Sequence, residues 1–423
     1  MDLAWISLAA LVIAVTLSII TSVNVGVVSL AFAWIVGVYL GGMPLNTVVG
    51  GFPIQLFLTL VGVTLLFGMA NVNGTLGRIA TRAVQLCRGN AGVIPVMFFL
   101  IALGLSSIGP GNIGTTAILA PMAMAVGGRA MVPPFLMALM VGNGAQAGAL
   151  SPFAPTGVIV NGIMDRIGLP GYELQTYANN LLAHVVVTFA AYLLFGGVKL
   201  FTRRPVERTV SPGDQAGARG DAALVETEPF AWIHWVTLGI LATLVIVVVV
   251  FNMQVGMAAL TGAAVLALLR PGDEKEALKR MPWGVVILVC GVTVLIGVLE
   301  KTQGMSLFAD LLAKISTPGT VTLTIAFVTG LVSAYSSTSG VVLPAFLPTV
   351  PALATQLGAD PLAIASAMNV GGHLVDLSPL STIGALCIAA LPPEADPKKL
   401  FNQLLAWGLS MMFVGAVICW ILF

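Results

Sequence analysis

Apolar runs long enough to cross a bilayer recur from one end of this 423-residue chain to the other. They include Ile13–Ile20, Phe57–Ala70, Leu181–Leu200, Trp235–Phe251 and Val285–Leu299 with their flanks. A hydrocarbon core of about 30 Å takes roughly 20 apolar residues as a helix, and only helices or closed barrels satisfy their own backbone there. The chain is 58% hydrophobic and 8% charged, where a soluble domain carries roughly a quarter charged residues. No soluble fold buries that much apolar surface. The expectation is an all-α polytopic membrane protein set in the cell (inner) membrane.

The opening stretch, Met1–Ile20, has no basic n-region and no small-residue cleavage site, so it reads as a first membrane helix. The four cysteines (Cys87, Cys290, Cys387, Cys419) show no CxxC spacing and imply neither a disulfide nor a metal site.

The chain repeats itself. LAWI at Leu3–Ile6 returns as FAWI at Phe230–Ile233, and VNVGVVSL at Val23–Leu30 returns as MQVGMAAL at Met253–Leu260. Gly114 pairs with Gly340 and Asn143 with Asn369, both at a displacement of 226 residues. LSPFAPTG (Leu150–Gly157) pairs with LSPLSTIG (Leu377–Gly384) at 227. Such small drift over half a chain implies two copies of one unit, residues 1–200 and 230–423. Residues 201–229, rich in Pro, Gly and charge, read as a cytoplasmic linker.

With the N-terminus outside, every Lys and Arg except Arg166, Lys301 and Lys314 falls on the cytoplasmic side, which satisfies the positive-inside rule. Each copy then makes five crossings, one of them broken, plus a hairpin that enters and leaves on one side. Five is odd, so the second copy lies upside-down relative to the first. That arrangement is an inverted-topology repeat, with both termini extracytoplasmic.

The hairpins are expected at about residues 91–128 and 319–356, with polar tips in SSIGPGNIG (Ser106–Gly114) and SAYSSTSG (Ser333–Gly340). The arm Ala91–Leu105 would reach ~22 Å at ~1.5 Å per residue, short of the core. The return arm VVLPAFLPTVPALA is also expected to be short and broken by its prolines. A polar tip at mid-depth must line a cavity or be buried in protein. The broken spans are expected at about residues 132–165 and 361–392, each interrupted by Ser-Pro and followed by Thr156 or Thr382. Four interruptions, two from each copy, are thus placed to meet at one site, where helix N-termini favour anions and free carbonyls favour cations.

The run GFPIQLFLTLVGVTLLFGMANVNGTL (Gly51–Leu76) and the stretch Val23–Gly26 resemble the N-terminal region of MatC-type malonate/dicarboxylate carriers. More broadly the chain resembles the ion-transporter superfamily, which includes the INDY-type sodium-dicarboxylate symporters. The resemblance implies an elevator-type transporter, with a scaffold of outer helices and a mobile domain bearing hairpins and broken helices. It also implies a homodimer. In those symporters a Ser-Asn-Thr triplet at each tip contacts sodium and substrate. Here the triplet is absent from both tips, and Asn112, Thr115, Ser337, Thr338 and Ser339 occupy its places.

Intramembrane ionisable groups are costly and tend to be functional. Asp376 and His373 stand in a neutral stretch, and their counterparts in the first copy are Ala149 and Gln146. Cation binding or proton carriage by Asp376, with His373 as a second proton-coupling group, is one reading; capping of a broken helix is the other. Asn143 and Asn369 are expected to tie helices together, and His184 and His234 to sit near span ends. No Lys or Arg falls at an interruption, so hydroxyls, amides and helix termini must hold an anion, with a co-bound cation neutralising it.

The substrate-binding set is therefore expected to be Asn112, Thr115, Ser151, Thr156, Thr338, Ser339 and Thr382. The cation-binding set is Ser107, Gly111, Asn112, Ser337, Thr338, Ser378 and Asp376. Function is expected to be sodium-coupled uptake of a small carboxylate, a dicarboxylate such as malonate. The alternatives are a proton-coupled carrier or a cation/proton exchanger using Asp376. No cofactor is expected beyond the coupling ion (Na+ or H+). The partners are the carboxylate, the cation and membrane lipid, with no nucleic acid. An HExxH helix, a nucleophile elbow and paired catalytic aspartates are all missing, which argues against an enzyme.

Overall fold

The computed structural model describes residues 2–21, 23–85, 91–201, 229–251, 253–270, 273–334, 336–392 and 395–423. These residues are helical, with no strand among them. The linker expected at 201–229 falls on residues 202–228, and Cys87 and Arg88 also lie outside the described residues.

The first half runs α1 (Leu3–Ile20), α2 (Val25–Trp34, continued by a π turn over Ile35–Leu40), α3 (Leu45–Val49), α4 (Ile54–Val72) and α5 (Thr75–Gln85). It continues through α6 (Val93–Ile108), α7 (Gly111–Arg129), α8 (Pro134–Gly148), α9 (Pro155–Arg166), α10 (Glu173–Leu194) and α11 (Gly197–Phe201). The second half has α12 (Trp232–Phe251), α13 (Val255–Leu269), α14 (Asp273–Arg280), α15 (Trp283–Lys301), α16 (Gly304–Lys314) and α17 (Val321–Ser333). A helical run over Thr338–Leu357 follows, holding α18 (Leu343–Phe346) and α19 (Val350–Leu357). Last come α20 (Pro361–Val375), α21 (Thr382–Ala389) and α22 (Pro397–Leu422).

Among the described residues, α4, α10, α15, α22 and the run Thr338–Leu357 are each long and apolar enough to cross a membrane. Large apolar side chains such as Leu194, Leu268 and Ile421 point outward, a surface that only lipid tolerates in such quantity.

Helix ends follow local chemistry. Asn24 accepts from the Gly26 N–H at 2.8 Å, and Asp360 and Asp396 cap α20 and α22. Proline occupies the first turn of α8, α9, α20 and α22, where its missing N–H is no loss.

The halves interlock. Helix α2 crosses α15 so closely that a methyl group on Gly26 would overlap the Ile287 carbonyl. Helix α13 crosses α4 in the same way, where a Cβ on Gly256 would lie 2.5 Å from the Thr59 Cα. Each crossing is pinned by a side chain of the intruding half. Asn24 Nδ2 donates to the Gly284 carbonyl at 2.8 Å, and Gln254 Nε2 to Thr59 Oγ1 at 2.6 Å.

Further contacts recur 227 residues apart. Ser106 donates to the Ala145 carbonyl at 2.7 Å, tying α6 to α8, and Ser333 to the Gly372 carbonyl at 2.9 Å, tying α17 to α20. Ser151 donates to the Ser107 carbonyl at 2.6 Å, and Ser378 to the Ala334 carbonyl at 3.5 Å.

The return arm after the second tip is not short. Thr338–Leu357 stays helical for 20 residues by passing through a π turn, α18, a 3-10 turn at Leu347–Thr349 and α19. Pro344, Pro348 and Pro351 each fall in the first turn of a fresh segment, so each change of helical register accommodates a proline that a uniform α-helix would reject.

Candidate functional site

Helix α6 stops because the chain must turn sharply at Gly109. Its φ of 150° and its contact with Phe67, whose ring a Cβ would overlap, admit only glycine. Gly111, at φ 68°, abuts the Pro155 ring at the start of α9. This turn sets Asn112 in the first turn of α7, almost wholly buried.

Asn112 begins a chain of polar groups that crosses the molecule. Its Nδ2 donates to Gln146 Oε1 at 2.7 Å, and Gln146 Nε2 donates to Asp376 Oδ2 at 2.8 Å. An ionised carboxylate only accepts, so the Gln146 amide must face it with nitrogen and offer oxygen to Asn112. The Thr338 hydroxyl, at the second tip, shares a 2.5 Å bond with Ser333 and lies 3.3 Å from the Gly372 carbonyl of α20. Asn112 sits at the first tip, Gln146 at the end of α8, Asp376 just past α20, and Thr338 at the second tip. Hydrogen bonds therefore join the first tip to both broken spans, and the second tip to α20.

A second cluster supports the first tip. The Ser107 hydroxyl lies 2.7 Å from the Leu103 carbonyl and 2.8 Å from the Tyr177 hydroxyl. One proton goes to the carbonyl, and tyrosine can supply the other bond. At the second break Ser381 turns inward, its hydroxyl proton within reach of the Asp376 carbonyl and of the Ser378 carbonyl at 2.8 Å. Ser337 accepts from the Gly340 N–H at 3.2 Å and so caps the return arm.

Of the residues expected from sequence, Asn112 and Asp376 meet around Gln146, Ser107 and Ser151 meet at the first tip, and Thr338 bonds to the Gly372 carbonyl of α20. Ser378 bonds toward the second tip. Thr115, Thr156 and Ser339 are buried nearby in sequence but outside this hydrogen-bonded chain. The Thr115 hydroxyl has no partner. Thr382 is exposed, and its neighbour Ser381 takes the inward position.

Two expectations need correction. His184 is not near a span end: α10 starts at Glu173, so His184 lies at mid-helix, fully buried. Both imidazoles donate Nδ1–H to the carbonyl four residues back, at 2.9 Å to Asn180 and 2.8 Å to Asn369. Each Nε2 is left without a partner. His234 is likewise buried, near the start of α12, and its Nε2 lies 3.0 Å from the Asn73 carbonyl. Nor do Asn143 and Asn369 tie helices by hydrogen bonds. Asn143 bonds within its own helix, to the Leu139 carbonyl at 3.0 Å, and the Asn369 amide is unpartnered. The ties come from α10 instead: Asn179 donates to Ser366 Oγ and Asn180 to the Gln146 carbonyl, both at 2.8 Å.

Chemically, the network presents one carboxyl group and two amides, without a basic side chain in its hydrogen bonds. A lone buried carboxylate is costly unless a cation or proton accompanies it. Helices long and apolar enough to span a membrane, packed around a buried polar centre, are those of an integral membrane protein, and the known proteins it resembles are transporters. Residues 1–149 match the family model of the dicarboxylate carrier protein MatC N-terminus. Two proteins described as uncharacterized transporters, from Mycobacterium bovis and Mycobacterium tuberculosis, are each 25% identical over 351 residues, covering 78% of this chain and 77% of theirs. The fold is shared with the YdaH transporter of Alcanivorax borkumensis (TM-score 0.58, 17% identity, 89% of this chain and 87% of that one). It is shared too with MtrF of Neisseria gonorrhoeae, described within a class of antimetabolite efflux pumps (TM-score 0.55, 12% identity, 92% and 84%).

Proposed function

We propose that this transporter is a secondary carrier that couples the movement of a cation to that of a small carboxylate, a dicarboxylate such as malonate or a C4-dicarboxylate. The observation that carries the proposal is the chain Asn112–Gln146–Asp376, which joins the first tip to both broken spans, with Thr338 of the second tip bonded beside it to the Gly372 carbonyl of α20. The match of the first 149 residues to dicarboxylate carriers supports the substrate class. Sodium bound against Asp376, the two amides and the tip hydroxyls would offset the charge of the carboxylate substrate in a site whose hydrogen bonds involve no Lys or Arg. Substrate oxygens would then be held by Asn112, Thr115, Ser151, Thr156, Thr338 and Ser339.

The lone carboxyl group favours a second reading, in which a proton on Asp376 replaces sodium. His373, whose Nε2 is unpartnered, then stands one helical turn away as a relay.

The recurrence of contacts at 227 residues and the reciprocal helix crossings support two inverted copies, residues 1–200 and 230–423. We further propose that hairpins 91–128 and 319–356 are re-entrant and that the broken spans 132–165 and 361–392 move with them against a scaffold, as an elevator. Both termini then face away from the cytoplasm, and two copies form the working dimer.

Uptake of labelled malonate, succinate and citrate into proteoliposomes, under imposed sodium or pH gradients, tests the proposal. Gradient-driven accumulation of one of them is expected. Dissipation of either gradient with no organic anion present would identify an exchanger instead.

A further inference from the structure

One face of α10 is polar where the fold demands nothing polar. Thr176, Asn180, His184 and Thr188 recur at four-residue intervals, all fully or almost fully buried. Each carries a polar atom that no protein group meets: the Thr176 and Thr188 hydroxyls, Asn180 Oδ1 and His184 Nε2. Helix α22 packs on α20 in the second half as α10 packs on α8 in the first, and it buries Leu404, Trp407, Met411, Gly415 and Cys419 instead. The architecture accepts an apolar face at this place, so the polar one in α10 serves something other than packing.

The facing helix is polar too. Ser366, Asn369 and His373 share one side of α20, and Asn179 donates to Ser366 Oγ at 2.8 Å, which turns that side toward α10. Neither polar atom of the Asn369 amide has a partner, nor has His373 Nε2. Because both imidazoles give Nδ1–H to a backbone carbonyl, both Nε2 atoms present lone pairs. Buried polar groups that protein leaves unmet are ordinarily met by bound water.

The seam leads somewhere. Near the start of α10, Thr176 lies in an indentation lined also by Asn161, Asp165 and Glu173. One turn further along, Asn180 Nδ2 donates to the Gln146 carbonyl at 2.8 Å, and the Gln146 side chain reaches Asp376. Successive turns stand ~6 Å apart, a gap that one water spans by bonding at ~2.8 Å on either side. The titratable groups along the seam are Asp165 and Glu173 at its mouth, His184 on α10, and His373 and Asp376 from α20 and its end. Helix α8, packed on α10, contributes none. An imidazole lone pair suits a proton rather than a hard cation, which prefers oxygen.

We infer that the seam between α8, α10 and α20 holds a file of bound water that runs from the Asp165–Glu173 indentation to Gln146 and carries protons to Asp376, with His184 and His373 exchanging protons along it. Each hop moves one proton to a neighbouring lone pair, and the last turns the Asp376 carboxylate into the acid. What the water delivers rests on the reading of Asp376 as the coupling group; its presence does not.

Radiolytic hydroxyl-radical labelling of the full-length protein in detergent tests the water directly, because radicals formed from bound water oxidise the side chains beside it. His184 and His373 are expected to label faster than Met137, an equally buried and chemically more reactive side chain that packs against Gly127 of α7. Unlabelled His184 and His373, in a sample where the exposed Met131 is oxidised, would overturn the file. Thr176→Val keeps the volume and removes the hydroxyl at the mouth. It is expected to slow His184 labelling about fivefold, as for one lost hydrogen bond. In proteoliposomes it is expected to reduce pH-driven uptake by a similar factor, with unchanged affinity for whichever of malonate, succinate and citrate is carried. Equal pH-driven uptake by wild type and Thr176→Val would overturn the route. Labelled histidines with wild-type uptake driven by sodium alone would overturn proton delivery while leaving Asp376 its coupling role. If Thr176→Val fails to fold, the wild-type labelling and the choice of driving gradient decide.

Discussion

Asp376→Asn isolates the charge at the centre of the network while keeping its shape. Asparagine can still accept from Gln146 Nε2, now bonded at 2.8 Å to the carboxylate, and it occupies the same volume. Folding should therefore survive, with one charge-assisted bond replaced by a neutral one at a cost of about 1 kcal/mol. That cost is offset by relief from burying a charge. Cation binding should not survive. A cation 4 Å from a carboxylate gains about 4 kcal/mol at an effective dielectric constant of 20, so losing the charge should weaken cation affinity by roughly three orders of magnitude. The assay is the sodium or proton dependence of labelled-carboxylate uptake in proteoliposomes, beside a thermal melt of the purified variant. The expected result is a near-wild-type melting temperature with gradient-driven uptake abolished. Uptake by Asp376→Asn with wild-type cation dependence would refute the assignment of the coupling site.

Other outcomes follow from the same geometry. Asn112→Ala and Thr338→Ala, one at each tip, should each abolish uptake while the protein still reaches the membrane, measured by transport against surface expression. Gly109→Ala should destabilise the protein by roughly 2–5 kcal/mol, combining a forbidden φ with overlap onto Phe67, and a lowered melting temperature would register it. Gln146→Glu would set a second carboxyl against Asp376. Two such groups share one proton, so both ionise and repel at high pH, and uptake by this variant should fall as pH rises more steeply than in wild type. A pH–uptake profile matching wild type would contradict that pairing.

The all-helical membrane class was legible because apolar composition leaves no other way to satisfy the backbone in lipid. The break at Gly109–Gly111 was legible for a similar reason: Gly and Pro mark the conformations that a continuous helix cannot supply. Asp376 announced itself by its charge. Gln146 did not, being neutral, and its importance depends on a partner 230 residues away. His184 was misplaced because the span was read from Leu181, where the apolar run starts. Helix α10 in fact begins at Glu173, and the polar side chains of Thr176, Asn180 and His184 face the protein core rather than water. Spacing alone could have flagged them, since they recur every four residues on one helix face. The length of the second return arm was hidden by its three prolines, whose tolerance depends on switches between π, α and 3-10 geometry that composition does not reveal.

The central claim is that elements from both halves meet at one binding site inside the membrane. Its most direct test replaces Ser107 or Ser337 by cysteine, in a background lacking the four native cysteines, and measures labelling by a membrane-impermeant thiol reagent from each side. Substrate and coupling cation together should slow labelling at both positions. Unhindered labelling of the two cysteines at opposite membrane surfaces, unchanged by substrate and cation, would contradict it.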